Sequence, residues 1–235
     1  MKKISIIVPV YNEEKTLVSI LDKLVKLDLG MEKEIIIVDD GSKDNSPQII
    51  RDYIKENSKL KKLKFKSYQK ENGGKGSAIK KGFELATGDI VTIQDADQEY
   101  DPEDYKKLIK PIVRGEYSVV YGSRFLRKHK PKYKIYFWGN KFLTLITAIL
   151  YKSRITDMET CYKVFKKEIV KNINLKANKF DMEPEITSKI LRRGIKIKEL
   201  PISYIPRSID EGKKINWKDG LKAIYTLFYW RFLGK

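Results

Sequence analysis

Four carboxylic acids, Asp95, Asp97, Glu99 and Asp101, follow directly on an apolar run, Ile90, Val91 and Ile93, in a chain of 235 residues with a formal net charge of +18. Acids gathered where a buried strand ends need a positive partner. The Asp-X-Asp spacing of Asp95 and Asp97 suits a hard divalent cation, Mg²⁺ or Mn²⁺, which takes one or two carboxylates and fills its remaining positions with water and substrate phosphates. Such an ion would let a diphosphate dock beside Asp95, Asp97 and Glu99, with Arg or Lys holding the rest of the anion. Asp101, followed by Pro102, reads instead as the cap of a helix.

A second short stretch, "NGGKGSA" (72–78), lacks the G-x-x-x-x-G-K-[ST] spacing of a phosphate loop. Its glycines, Gly73, Gly74 and Gly76, suit a turn and helix start that pack closely on a sheet, and Lys75 is placed to reach a substrate. The chain has one cysteine and one histidine, Cys161 and His129. That excludes a disulfide framework and a zinc site of the usual kind, and fits a reducing, intracellular location. Cys161 reads as a small buried hydrophobe.

These residues need a scaffold, and the first half of the chain supplies one in alternation. Strands are expected at Ile4–Val10, "EIIIVDD", "LKFKSY" (nearer an edge), Ile90–Ile93 and Tyr117–Tyr121. Between them come helices near Glu13–Lys26, Ser46–Glu56 with Ser46 as cap, Gly76–Ala86 and Pro102–Val113. Repeated β-α units with apolar strands predict an α/β fold around a doubly wound, mostly parallel sheet. In such sheets ligands bind outside the carboxyl ends of the strands. Three of those ends, "PVYNEE", "VDDGS" and "QDADQE", are acidic and should converge on one crevice.

The second half differs in charge. Residues 1–115 carry net +2 and residues 116–235 net +16, so the second half is built to meet something anionic. A basic loop, Arg124–Lys134, leads to an expected amphipathic helix at Tyr136–Tyr151. A helix at Glu183–Arg193, strand material in "IKIKELPISYI" and a last helix from Trp217 to Phe232 follow. Trp217, Leu221, Ile224 and Phe228 share a face of that last helix, and core packing competes there with insertion into a membrane surface. No stretch reaches the ~18 apolar residues of a membrane span. The N-terminal apolar run, Ile4–Val10, is too short for a signal peptide and reads as a first strand.

Taken in order, "IIVPVYNEE", "IIIVDDGSKD", "NGGKGSAIKKGFELATGD", "QDADQEYDPED" and "VVYGSRF" resemble family 2 glycosyltransferases of the GT-A fold. "YFWGNKFLTLITAIL", "ITDMETCYKVFKKE", "FDMEPEIT" and "ISYIPRSIDEGKKINWKDGLKA" resemble the polyprenol-phosphate hexosyltransferase branch, which includes the dolichol-phosphate mannose synthases. The resemblance implies a GT-A-like mixed sheet with C-terminal amphipathic helices: a nucleotide-sugar-binding half, 1–125, and an acceptor-binding, membrane-facing half, 126–235. By the same resemblance Pro9, Tyr11, Glu13, Val38 and Asp40 hold the nucleotide base and ribose. Asp95, Ala96 and Asp97 lie at the metal and diphosphate, with Glu99 as a further ligand. Arg124 lies near the transferred sugar, and Arg207 and Lys213 belong to a basic loop over the diphosphate; Asp97, Arg124 and Arg207 are the expected catalytic residues. Asp157 and Lys163 fall near the acceptor or form a structural ion pair, and Glu183 or Glu185 is a base in relatives with hydroxyl acceptors.

The expected activity is inverting, metal-dependent transfer of a hexose to polyprenyl or dolichyl phosphate at the cytoplasmic face of a membrane, bound peripherally. GDP-mannose is the first expected donor and UDP-glucose the second. Two alternatives stand beside it. One is a family 2 enzyme acting on a sugar hydroxyl, which would need a carboxylate base. The other is a basic nucleic-acid-binding module, which gives no reason for Asp95 and Asp97 and leaves nucleic acid outside the expected partners.

Overall fold

A computed structural model describes residues 1–127, 133–206 and 217–234. The strands are β1 (Lys3–Val10), β2 (Glu32–Asp39), β3 (Leu63–Gln69), β4 (Ile90–Ile93), β5 (Val119–Ser123), β6 (Lys163–Lys166) and β7 (Ile197–Pro201). They form one sheet in the order β3-β2-β1-β4-β6-β5-β7. β1 pairs parallel with β2 and β4, and β2 with β3. β6 runs antiparallel between β4 and β5, and β7 closes the far edge parallel to β5. The sheet is therefore mixed, because a strand from the second half of the chain is inserted into the first.

Helices α1 (Leu17–Lys26), α2 (Ser46–Asn57), α3 (Lys75–Leu85), α4 (Tyr105–Leu108) and α5 (Lys110–Val113) connect the first strands, and α6 (Lys134–Tyr151), α7 (Lys167–Ile173), α8 (Met182–Arg192) and α9 (Trp217–Phe232) follow. The main core lies between the sheet and its helices, from Ile4, Ile6 and Val8 of β1 to Tyr121, Phe165 and Ile186. Continuous apolar strands such as "EIIIVD" are buried on both faces, as parallel strands covered by helices require. A smaller cluster of Leu143, Ile155, Met158, Ala223 and Leu227 joins α6 to α9.

Three local expectations are corrected. α1 begins at Leu17, not Glu13. The backbone N–H groups of Glu13 and Glu14 donate to Ser46 Oγ and Asp44 Oδ2 of the neighbouring loop, at 3.0 Å each, which holds residues 13–16 as a turn. Ser46 thus spends its hydroxyl on that turn, and Asn45 stands at the cap of α2. The helix expected over Pro102–Val113 is divided into a 3₁₀ turn, α4 and α5. Pro111 has no N–H for the bond that would continue α4 through this point. Asp101 does cap its start, accepting from the Glu103 N–H at 3.1 Å.

Two close approaches fix α3 on its neighbours. A Cβ on Gly82 would lie 2.3 Å from Ile7 Cγ2 of β1, and one on Gly76 2.7 Å from the Ala177 carbonyl oxygen. One buried carboxylate ties three strands and the loop before β4 together away from the crevice. Glu34 accepts from Ser5 Oγ at 2.6 Å and from the Thr87 N–H and hydroxyl at 2.9 and 2.8 Å, and pairs with Lys3 and Lys66 at 3.1 and 2.9 Å. Burial alone would raise its pKa, but the hydrogen bonds from Ser5, Thr87 and Lys66 outweigh burial and hold it at about 2. A depressed carboxylate stabilises the fold above its unfolded pKa and loses that contribution as pH falls through the folded one. Glu34→Gln is therefore expected to remove about 2–3 kcal/mol at neutral pH and almost nothing near pH 2, as read from urea unfolding at the two pH values.

Candidate active site

The carboxyl ends of β1, β2, β4 and β5 open into one cleft of about 480 Å³. Pro9, Tyr11 and Glu13 come from the end of β1, Asp40 from the end of β2, and Asp95, Ala96, Asp97 and Glu99 from the end of β4. Arg124 and Phe125 follow β5, and Gly74 and Lys75 open α3. The first turns of α6 and α8 close the other side with Tyr136, Phe137, Asn140, Met182 and Glu183. Nine of the expected positions thus share one wall system, counting Glu99 with those assigned to the donor. Val38 does not: it is fully buried within β2, in the core. Arg207 and Lys213 lie outside the described residues.

Several of these side chains already have partners, and the partners redefine their roles. The Asp40 carboxylate accepts from Lys70 Nζ at 2.7 Å and from the Gly73 and Gly74 N–H groups at 3.0 and 2.6 Å. It therefore holds the glycine loop that leads into α3. Lys75 Nζ stands 2.7 Å from Asp95 Oδ1 and 3.8 Å from Cys161 Sγ. Burial would lower the Lys75 pKa, but the Asp95 carboxylate outweighs it and raises it well above the usual lysine range. Cys161 is buried as expected, yet it lies on the cleft wall, where burial pushes its thiol pKa up.

Asp95 and Asp97 fit a divalent ion. They are hard oxygen donors on the cleft wall, and the Asp95 carboxylate already attracts one cation, the Lys75 ammonium. The expected three-carboxylate ligand set is narrower than that. Among the described residues no three Asp, Glu, His or Cys side chains come together as a metal-binding group. Glu99 accepts from the Tyr204 hydroxyl at 3.2 Å, while its own N–H donates to Asp97 Oδ1 at 3.2 Å.

Arg124 and Asp157 form a buried bidentate pair. Arg124 Nε and Nη2 donate to the two Asp157 oxygens at 2.8 and 2.7 Å, and the Arg124 N–H adds a third bond at 2.9 Å. The N–H groups of Thr156 and Asp157 donate to Glu199 of β7, at 2.7 and 3.0 Å, which anchors the acid that anchors the arginine. Lys163 is fully buried and pairs with Glu183 while donating to the Met158 and Thr160 carbonyls. Glu185 is turned away from the cleft, accepting from the Lys176 and Ala177 N–H groups and from Lys189. It is a structural residue and is excluded as a base.

Sequence reading missed Glu159, which lines the cleft between the Arg124–Asp157 and Lys163–Glu183 pairs. Its Oε1 is buried without a hydrogen-bond partner. Burial, reinforced by the Glu183 carboxylate, raises its pKa to about 7. The available signal was its place between Asp157 and Lys163, in a stretch that the resemblance puts near the acceptor.

This architecture is that of the GT-A glycosyltransferases. Over 100 % of this chain and 80 % of the other, it superposes with a TM-score of 0.71 on glucosyl-3-phosphoglycerate synthase from Mycobacterium tuberculosis, solved with Mn²⁺, uridine diphosphate and phosphoglyceric acid, at 21 % identity. Residues 5–173 match the family model for glycosyl transferase family 2, and the chain belongs to that family and is a glycosyltransferase. It is 30 % identical to the UDP-N-acetylglucosamine–dolichyl-phosphate N-acetylglucosaminyltransferase of Methanococcus voltae, over 96 % of this chain and 95 % of the relative. It is 32 % identical to a dolichyl-phosphate beta-glucosyltransferase of Trichomonas vaginalis, over 86 % of this chain and 65 % of the relative.

Proposed function

We propose that this chain transfers a hexosyl residue from a nucleoside diphosphate sugar to a polyprenyl phosphate. The observation that carries the reading is the two-sided cleft. One wall bears Asp95 and Asp97, suited to a metal-bound diphosphate. The opposite wall is the aromatic start of α6, whose outer face is an exposed apolar stripe: Ile135, Trp138, Phe142, Leu145 and Ile149. The relatives named for dolichyl-phosphate acceptors support the same acceptor class. The Methanococcus voltae relative is named for a UDP-linked donor, which favours a UDP-hexose over GDP-mannose and reverses the donor order expected from the sequence.

In this mechanism Pro9, Tyr11 and Glu13 seat the nucleotide, and Asp40 keeps the glycine loop in place beneath it. Asp95 and Asp97 would hold a Mg²⁺ or Mn²⁺ ion, which would neutralise charge developing on the leaving diphosphate. Lys75, Arg207 and Lys213 supply further positive charge to the same anion. An acceptor phosphate oxygen attacks the anomeric carbon in line, so the configuration inverts and no covalent enzyme intermediate is needed. A nucleophile that is already anionic does not require the carboxylate base that a sugar hydroxyl would.

Membrane contact is part of the proposal. Among the described residues no helix is long and apolar enough to cross a membrane. The stripe on α6 is joined by Trp217, Leu221, Tyr225, Phe228 and Phe232, all exposed on α9. Ile224, expected on that face, packs instead on the α6–α9 cluster. Exposed apolar helix faces with cationic flanks suit the plane of an anionic bilayer.

The test combines transfer and binding. Radiolabelled UDP-glucose, UDP-N-acetylglucosamine and GDP-mannose are each offered with polyprenyl phosphate and Mn²⁺, and lipid-phase label is counted. A UDP-hexose is expected to label the lipid, and absence of label from every donor would overturn the acceptor assignment. Leu221→Ser combined with Phe228→Ser is expected to weaken binding to anionic liposomes at least tenfold and raise the KM for the lipid, while the KM for the nucleotide sugar stays within about twofold. Unaltered liposome binding by the folded double variant would remove α9 from the membrane contact.

A further inference from the structure

Glu159 has no role in the mechanism above, yet the fold holds it firmly at the cleft. Lys163 Nζ donates to the carbonyls of Met158 and Thr160, the residues on either side. The Met158 N–H donates to Thr144 Oγ1 of α6 at 3.1 Å. The backbone of residue 159 is thus fixed from β6 and α6, and its side chain is left with a buried, unpartnered oxygen. An acidic side chain kept in that condition is poised for a partner that the substrate brings.

We propose that Glu159 is a specificity-determining contact for the acceptor: its un-ionised carboxyl donates a hydrogen bond to an oxygen of the acceptor phosphate, and its ionised form repels that phosphate. The inference rests on the phosphate-acceptor reading of the preceding subsection. The charged groups around Glu159 come from three directions: Glu183 on α8, with Lys163 of β6 paired to it, Arg124 after β5, and Asp157 on its own segment, paired to Arg124. Both cations are already committed to other carboxylates. They pull the Glu159 pKa down, but burial and Glu183 outweigh them, so an incoming phosphate would meet a net negative charge on this cluster if Glu159 were ionised. The proton removes that repulsion and makes the Glu159 carboxyl a hydrogen-bond donor. Burial and the Glu183 carboxylate hold the proton on Glu159 up to about pH 7.

The experiment is the pH dependence of kcat/KM for polyprenyl phosphate in wild type, Glu159→Gln and Glu159→Ala. In wild type kcat/KM is expected to fall on the order of tenfold or more between about pH 6.5 and about pH 8.5. The acceptor's own second ionisation lies near pH 6 and does not generate that fall. Gln keeps an N–H donor and cannot ionise, so its profile should be flat over the same range. Ala should also be flat, with an acceptor KM raised at least fivefold relative to Gln, on the order of one lost hydrogen bond. If Gln loses kcat at every pH, Glu159 is a base and the proposal is overturned. It is overturned equally if both variants keep the wild-type slope. If wild type labels no polyprenyl phosphate at any pH, the acceptor assignment fails first, a result separate from any difference among the variants.

Discussion

Asp157→Ala is expected to destabilise the fold by about 3–5 kcal/mol, the range for removing one partner of a buried ion pair. Asp157 is fully buried, and its two oxygens receive three bonds from Arg124. Removing it leaves a guanidinium inside the protein with its principal counter-charge gone. Arg124→Ala should cost a similar amount by stranding the carboxylate. The double variant should be more stable than the sum of the two losses predicts, because neither charge remains. Urea unfolding of the four proteins gives the coupling directly. Single losses below about 1 kcal/mol would place the pair among weak surface bridges and end this account. The result also bears on catalysis. Arg124 was expected to bind substrate, but Nε and Nη2 are engaged by Asp157, so loss of activity in Arg124→Ala must be separated from loss of fold before it is assigned to the reaction.

Asp97→Ala is expected to reduce transfer at least a hundredfold while changing stability by less than about 1 kcal/mol. Asp97 lies on the cleft wall and accepts from the Glu99 N–H at 3.2 Å. Its removal takes a hard oxygen donor from the site and little from the core. Excess EDTA should reduce wild-type transfer comparably, with recovery on adding Mn²⁺ or Mg²⁺. Glu99→Gln should be milder, since the amide oxygen can still accept from Tyr204. Full turnover in EDTA would remove the metal from the mechanism, and a Glu99→Gln loss equal to that of Asp97→Ala would make Glu99 a full ligand.

Much of the scaffold was legible because its causes are local. Apolar runs such as Ile35–Val38 and Ile90–Ile93 are followed within two residues by Asp, and those ends do meet at one cleft. What was not legible depends on contacts across the chain. β6 is short, and its residues "KVFK" alternate too briefly to declare a strand; its place between β4 and β5 comes from pairing with both. Ser46 looked like a helix cap because serine favours that position, but a nearby backbone N–H took its hydroxyl. Charge types at Arg124, Asp157, Lys163 and Glu183 were visible, whereas the pairing was not. Pairing decides which of them face substrate with charge to spare. Glu159 escaped notice for the same reason: its significance is a missing partner, which only a three-dimensional arrangement can reveal.

The wedging of α3 has a consequence at the N-terminal end of the helix. With Gly82 pressed on Ile7 and Gly76 on the Ala177 carbonyl, α3 cannot move any closer to either neighbour. Lys75 is the first residue of that helix, so its Cα is a fixed pivot and its four methylenes are a short arm. If Asp95 exchanges the ammonium for a divalent ion, room is made most simply by rotation of the Lys75 side chain. The cleft is the space its Nζ borders. Loading the metal would then deliver a second positive charge toward the diphosphate in the same movement, coupling two cations through a single rotation of one side chain.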